Sequence, residues 1–322
     1  MSIMLSIEET VSWLKERDNY LILTHRRPDG DTVGCAGALA EGLQEFGKTA
    51  YILPNPEITP RYAPFMSDYL APEGYAYEHV IIVDTASTKL FPKDGDIFFD
   101  KVSLCIDHHP SNTFYAKYTY LDASAAACGE VIYDILALLN GKISQKSADG
   151  IYVAVSTDTG CFSFANTTAN TLKVASLAIE AGASHVKLNR KLFRTKTRAR
   201  VKIEGMIVDG MEFYFDDKVA IISISNEMMN TAGADEDDVD DIASLPGAVK
   251  GVLAGITIRE LSSPNDCKVS VRTSPAVSAN GIAARFGGGG HAMASGFSLD
   301  KSIPETKAAI LNELKDFFPA PV

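Results

Sequence analysis

No run of about 18 apolar residues occurs in the sequence, so a membrane span is not expected. The first residues lack a basic segment followed by an apolar core and a small-residue cleavage site. Ser6-Ile7-Glu8-Glu9-Thr10 reads instead as a helix start with acids in its first turn. Cysteine is sparse and unpatterned: Cys35, Cys105, Cys128, Cys161 and Cys267 include no CxxC pair. That argues against a thiolate zinc site or a disulfide framework and for a reducing compartment. The expected address is the cytoplasm. Positive charge is also short, with 30 Lys and Arg against 41 Asp and Glu and a formal net charge of −11. Such a chain exerts no global pull on long duplex nucleic acid. A phosphate-bearing ligand would need a local basic site or metal ions. There is no internal repeat and no low-complexity tract.

The 322 residues are 46% hydrophobic, enough for two domains with sizeable cores. Short apolar runs at Tyr20 to Thr24, Thr49 to Leu53, His79 to Val83 and Val102 to Ile106 alternate with helical patterns at 32–46, 125–139 and 171–181. Near-continuous apolar strands interleaved with helices predict an α/β domain, a doubly wound and mostly parallel sheet. Asp149 to Thr157 fits either a helix or a strand. From Lys187 to Lys202 the chain turns basic, which suits a helix leading onward and equally a solvated helical face. Strand-like runs then follow at 211–215, 219–224, 251–259 and 268–273, with a last helix over 304–318. The expected organisation is a first domain at 1–186, a basic helical linker at 187–205 and a smaller α+β domain at 206–322, with the active site in the cleft between the two domains.

Chemistry gathers where these segments end. Open α/β sheets bind ligands at the carboxyl ends of their strands. His25, Asp29 and Asp31 follow the first strand, Asp84 a later one, and Asp107, His108 and His109 end another before Pro110; Asp158 follows the apolar run at 149–157. All four segments are expected to end at one edge of one sheet. Any one of these acids alone is equally explained by capping; Asp31 before Thr32, for example, suits a helix N-cap. Capping does not explain imidazoles recurring beside them. Oxygen donors mixed with histidine suit Mn²⁺, Mg²⁺ or Fe²⁺, and five aspartates with three histidines are too many for one ion. Two ions sharing an Asp and a water would use them, an arrangement that activates hydroxide and clamps both oxygens in phosphoryl displacement.

A second candidate is Arg285-Phe286-Gly287-Gly288-Gly289-Gly290-His291. Successive glycines let amides converge on an anion, with His291 as a further donor. A loop without function reads the same way. Arg272, in the strand-like Val269 to Thr273, can reach a phosphate bidentately or be an exposed strand arginine.

Taken in order, His25-Arg26-Arg27-Pro28-Asp29-Gly30-Asp31, Val83-Asp84, Asp107-His108-His109 and Thr157-Asp158-Thr159-Gly160 resemble the four motifs of the DHH phosphoesterase superfamily. Gly287 to His291, followed by Ala294-Ser295-Gly296-Phe297, resembles the signature of its associated C-terminal substrate domain. The resemblance spans nearly the whole chain and is greatest to the stand-alone nanoRNase and pAp phosphatase group (oligoribonuclease-like). Ser295 stands where that family often has alanine.

The resemblance implies two Mn²⁺ ions. One would be held by His25, Asp29 and Asp84, the other by Asp31, Asp84, His108 and Asp158. Asp84 would bridge, and Asp107 and His109 would support the catalytic centre around Asp84 and His108. Arg272 and Gly287, Gly288, Gly289, Gly290 and His291 would bind the terminal phosphate or nucleotide end. The implied substrates are very short single-stranded RNA, linear dinucleotides such as pApA, and 3′-phosphoadenosine-5′-phosphate. Two other readings stand beside this one: a cyclic-di-AMP phosphodiesterase, and a non-catalytic nucleotide- or RNA-binding protein. The oligomeric state stays open, a homodimer included.

Overall fold

The structure is a computed structural model and describes residues 2–93, 95–239 and 241–318. The chain divides into two compact units, Met1–Thr195 and Lys196–Val322. The first holds β1 (Ile3–Met4), α1 (Ile7–Glu16), β2 (Tyr20–Leu23), α2 (Gly30–Glu45), β3 (Ala50–Ile52), β4 (His79–Val83), β5 (Val102–Asp107), β6 (Tyr118–Leu121), α3 (Cys128–Asn140), α4 (Gln145–Asp158), α5 (Ala169–Glu180) and α6 (His185–Asn189). Its six strands form one sheet in the order β1-β6-β5-β4-β2-β3, and every pairing is parallel. The order reverses between β2 and β4, the switch point at which such sheets open a crevice beyond their carboxyl ends.

Strand pleating explains the apolar runs. Tyr20 and Ile22 face a core built with α1 to α4, while Leu21 and Leu23 face a second layer with Val80, Ile82, Phe91 and Phe98. Both faces are covered, so neither alternates with polar residues. The second face is closed by aromatic loops and short 3₁₀ turns at Thr88–Leu90 and Gly95–Phe98.

The run at 149–157 is helical, the body of α4, so Asp158 ends a helix and not a strand. This corrects the expectation that all four segments end as strands at one edge. Helix α4 reaches the same place by packing closely along α2. A Cβ on Gly34 would lie 2.3 Å from the Gly150 carbonyl oxygen, and one on Gly150 2.6 Å from that of Gly34. The contact needs glycine on both sides.

The basic stretch is two helical segments and not one helix. The chain runs from α6 through a wide turn at Arg190–Arg194, then extends at Thr195 before α7 (Arg198–Asp209), which is N-capped by Thr197. The second unit continues with β7 (Glu212–Tyr214), β8 (Val219–Ile224), α8 (Asn226–Ala232), β9 (Ala254–Glu260), β10 (Cys267–Thr273), α9 (Ala279–Ala284), β11 (Gly289–Gly290), β12 (Ala294–Leu299) and α10 (Ile303–Leu314). Its sheet, β11-β12-β10-β9-β8-β7, is antiparallel except for β8 beside β9. The residues of α9 and α10 pack in one core, those of α7 in another, as an α+β unit requires.

Gly34→Ala tests the α2–α4 contact. Overpacking at a site this tight costs about 1–3 kcal/mol, which lowers Tm by roughly 2–12 °C in a unit of this size. A melting curve that superimposes on wild type would show that the helices can part without cost.

Candidate active site

The loop after β2 turns directly into α2. Asp29 is the N-cap, its Oδ1 accepting from the amides of Asp31 and Thr32. Asp31 lies in the first turn and points inward, where it accepts from the amides of Cys128 at 2.7 Å and Gly129 at 3.0 Å. Those amides open α3, whose own N-cap residue, Ala127, has no side-chain acceptor. Asp31 therefore supplies from 97 residues away the anion that the start of α3 needs. The N-cap of α2, the helix that contains Thr32, is thus Asp29 and not Asp31, which instead serves the start of a distant helix.

Asp84 follows β4 in a left-handed backbone conformation, φ +53°, sparsely populated by non-glycine residues and characteristic of sites held by their surroundings. Its amide donates to the Ile106 carbonyl at the end of β5. Asp107 ends β5 wholly buried. It accepts from the amides of His108 and His109, from His109 Nδ1 at 2.8 Å, and from Asn112 Nδ2 at 2.6 Å. Asp107 thus orients the two histidines. Its carboxyl is held low because these hydrogen bonds outweigh its burial.

The predicted residues of the first unit come together. His25 Nε2 lies 3.5 Å from Asp29 Oδ1 and 3.8 Å from Asp84 Oδ2. His108 Nε2 lies 3.7 Å from Asp31 Oδ2, 3.5 Å from Asp84 Oδ1 and 3.8 Å from Asp158 Oδ2. His109 Nδ1 is 3.6 Å from Asp84 Oδ1. Three donor sets result, each with ligand atoms within 4.8 Å of one another: His25, Asp29 and Asp84; Asp31, His108 and Asp158; Asp84, His108 and His109. The remaining nitrogens are turned away and occupied, His25 Nδ1 by the Arg26 carbonyl at 2.8 Å and His108 Nδ1 by the Ala125 carbonyl at 3.1 Å. That fixes Nε2 as the atom facing the acids, the outer hydrogen bond typical of metal-binding histidines.

Asp84 Oδ1 decides whether cations fit. It is buried and accepts no hydrogen bond, although imidazole nitrogens stand 3.5 and 3.6 Å away. A buried carboxylate oxygen without a donor is costly, and separations of this size suit atoms converging on a common centre. The oxygen-and-imidazole donor set suits divalent cations such as Mn²⁺ or Mg²⁺.

Electrostatics point the same way. Burial and the charge of Asp31 push Asp84 well above the usual carboxylate range. Burial and Asp31 also raise Asp158 to about 7. Burial opposes the charged form of His25 and His108, but the surrounding carboxylates prevail and raise them to about 9 and about 10. Without cations, protons hold the cluster together.

The second unit places its candidates differently from expectation. The amides of Gly287 and Gly288 donate to the carbonyls of Ala284 and Ala283, closing the end of α9. Gly287 has φ +73°, and a Cβ on Gly288 would lie 2.3 Å from the Gly296 carbonyl oxygen. Phe286 stacks on Phe297 at 4.4 Å and pins the loop to β12. The four glycines are therefore not a single nest of free amides; two amides are spent within the fold. Gly289 and Gly290 form the edge strand β11, and His291 is exposed in the turn after it. Arg272 on β10 is half-buried and donates to the Val271 carbonyl, and no carboxylate pairs with it among the described residues. A partly desolvated, unpaired guanidinium favours an anion.

Sequence reasoning missed Asn112 and the amides of Cys128 and Gly129. Asn112 falls in the turn after Pro110, where Asn is ordinary. The α3 amides carry no residue-type signal at all.

Comparison with known proteins gives two domain matches along the chain. The model of the DHH family N-terminal domain matches residues 19–155, and that of the DHHA1 domain matches residues 216–320. The chain carries the DHH and DHHA1 domains. The bifunctional oligoribonuclease and PAP phosphatase NrnA of Thermus thermophilus is 29% identical over 304 residues, which covers 91% of this chain and 89% of that one. Its namesake in Bacillus subtilis is 29% identical over 299 residues, 90% and 92% of the two chains. The crystal structure of an exopolyphosphatase-related protein from Bacteroides fragilis superposes with a TM-score of 0.86 at 23% identity, over 98% of this chain and 97% of that one, and shares the fold.

The pKa shifts set a pH prediction. For each raised histidine, stability is fully present below its unfolded pKa, about 6.5, and is lost as pH rises through about 9 and about 10. Asp158 acts in the same direction, losing its contribution as pH rises through about 7. In chelator, Tm of the first unit is expected to fall from pH 6 to pH 10. Saturating Mn²⁺ is expected to flatten or reverse the slope, because cations compete with protons for the same atoms. A pH-independent Tm in chelator would contradict this electrostatic account.

Proposed function

We propose that this protein is a phosphoesterase acting on very short oligoribonucleotides, linear dinucleotides and 3′-phosphoadenosine-5′-phosphate, and that it uses two divalent cations, Mn²⁺ foremost. The observation that carries the reading is the overlap of three His/Asp donor sets on Asp84 and His108, with a buried Asp84 oxygen lacking any hydrogen bond. The substrate classes rest on the two relatives named oligoribonuclease and PAP phosphatase.

In this reading His25, Asp29 and Asp84 hold one ion and Asp31, Asp84, His108 and Asp158 the other. Such a pair supplies an acidified water and charge neutralisation for phosphoryl displacement. Asp107 keeps His108 and His109 in place through its hydrogen bonds to their amides and to His109 Nδ1. His109, half-exposed, is free on its Nε2 side to donate to a phosphate oxygen. Arg272 and the exposed His291 are assigned to the terminal phosphate. Confinement to short substrates agrees with the net charge of −11, which gives a long polyanion no reason to approach. Free, buried or half-buried cysteines agree with a cytoplasmic setting.

A panel of 3′-phosphoadenosine-5′-phosphate, pApA, oligoribonucleotides of about two to five units and cyclic di-AMP with Mn²⁺-loaded protein tests the assignment. Preference for cyclic di-AMP would make the chain a cyclic-dinucleotide phosphodiesterase. Binding without turnover in excess Mn²⁺ would make it a binding protein. Asp84→Ala is expected to abolish turnover. A variant retaining more than about a tenth of the rate, a barrier change under ~1.4 kcal/mol, would rule out Asp84 as a shared ligand. Arg272→Ala is expected to raise KM while leaving metal content intact; metal loss would place Arg272 elsewhere.

A further inference from the structure

The loops that follow β2 and β4 carry more than the acids of the cluster. Immediately after His25 come Arg26 and Arg27, both exposed, and neither has a part in the reading above. Nine residues past Asp84 the other loop has delivered Lys89 and Lys93. The loops are tied together by the Arg26 amide, which donates to the Leu90 carbonyl at 2.7 Å. Between them lies a cavity of about 400 Å³ lined by Arg26, Lys89, Lys93 and Phe99, among others. That volume is in the range of small-ligand sites.

The charges in this cavity are unbalanced. Glu57 is its nearest acid to the arginines, 3.9 Å from Arg26 and 4.0 Å from Arg27, and so is shared between two guanidinium groups. Asp96 is the other acid in the lining. Neither Lys89 nor Lys93 has an ion-pair partner among the described residues. A chain of net charge −11 thus gathers two lysines unpaired among the described residues on one of the loops that carry the acidic cluster. Aromatic surface accompanies them: Phe99 is 38% exposed and is held edge-on by the buried Phe91, ring centroids 5.2 Å apart. Unpaired cations along a groove with an exposed, braced ring are what a single strand needs, phosphates on the charges and a base on the ring.

We propose that this groove binds the part of an oligoribonucleotide lying beyond the scissile phosphate, with Lys89 and Lys93 on backbone phosphates, Arg26 nearest the reacting phosphate and Phe99 beneath a base. This rests on the proposed function, and it deepens it: longer members of the substrate range gain contacts that 3′-phosphoadenosine-5′-phosphate is too short to make.

The test compares a five-residue oligoribonucleotide with 3′-phosphoadenosine-5′-phosphate on the full, Mn²⁺-loaded protein. For Lys89→Ala/Lys93→Ala the ratio of kcat/KM, pentamer over short substrate, is expected to fall at least tenfold. The slope of log KM against log salt for the pentamer should flatten by about 1.4, or ~0.7 for each lost phosphate contact. Phe99→Ala is expected to raise the pentamer KM about tenfold, and Lys89→Arg/Lys93→Arg to restore most of the ratio. An unchanged ratio, an equal loss on both substrates or an unchanged salt slope overturns the groove. A wild-type protein that cleaves the short substrate but not the pentamer also overturns it, while leaving the phosphatase activity standing. Failure on every substrate would instead remove the proposed function.

Discussion

Repulsion between carboxylates is the constraint on which the first unit depends. Asp29 and Asp84 lie within ligand distance of one another, as do Asp31 and Asp158, each pair with atoms within 4.8 Å. Two full charges at such a separation repel by about 3–4 kcal/mol at an effective dielectric of 20. Asp31, Asp84 and Asp107 are also buried, which adds a desolvation cost to each. Hydrogen bonds offset the cost for Asp107; for the rest protons or cations are needed, and Asp84, Asp158, His25 and His108 are accordingly all shifted toward their protonated forms.

The fold holds these groups against their repulsion through backbone hydrogen bonds. Asp29 is fixed by the amides that open α2, Asp31 by those that open α3, and Asp107 by the amides of the two residues after it. Asp84 is held in its left-handed conformation by the hydrogen bond of its amide to the Ile106 carbonyl and by the pairing of β4 with β5. Asp158 arrives by another route, at the end of a helix whose position is set by the glycine contact with α2, and the chain leaves it through three successive left-handed residues, Gly160, Cys161 and Phe162. Four independent segments thus reach one switch point of a parallel sheet. The rigidity resides in regular structure and not in the loops themselves.

Much of this was legible in the residues. The apolar strands β2, β4 and β5 and the chemistry at their ends followed from composition and order, because fully buried strands carry no polar alternation. Asp158 was harder: Ile151 to Val155 is apolar throughout, and periodicity alone cannot separate a buried helix from a buried strand. The strands β1 and β6 were not foreseen, since two residues and a half-buried Tyr118-Thr119-Tyr120-Leu121 give little pattern. The glycine run suggested a nest of amides, yet two of its members are explained by helix closure and a close approach to β12, contacts that appear only in three dimensions. The capping of α3 by Asp31 was illegible for the same reason, because the helix shows no cap of its own and its partner is 97 residues away.

That last contact separates two kinds of inactive protein. Asp31 belongs to the acidic cluster and also anchors the start of α3, so replacing it would take away a proposed ligand and strip the helix of its anion. Asp158 is a third exposed, and its side chain caps no helix. On the proposed function, an inert form meant to trap an intact substrate for crystallography is therefore better made at Asp158, where no helix start depends on the side chain.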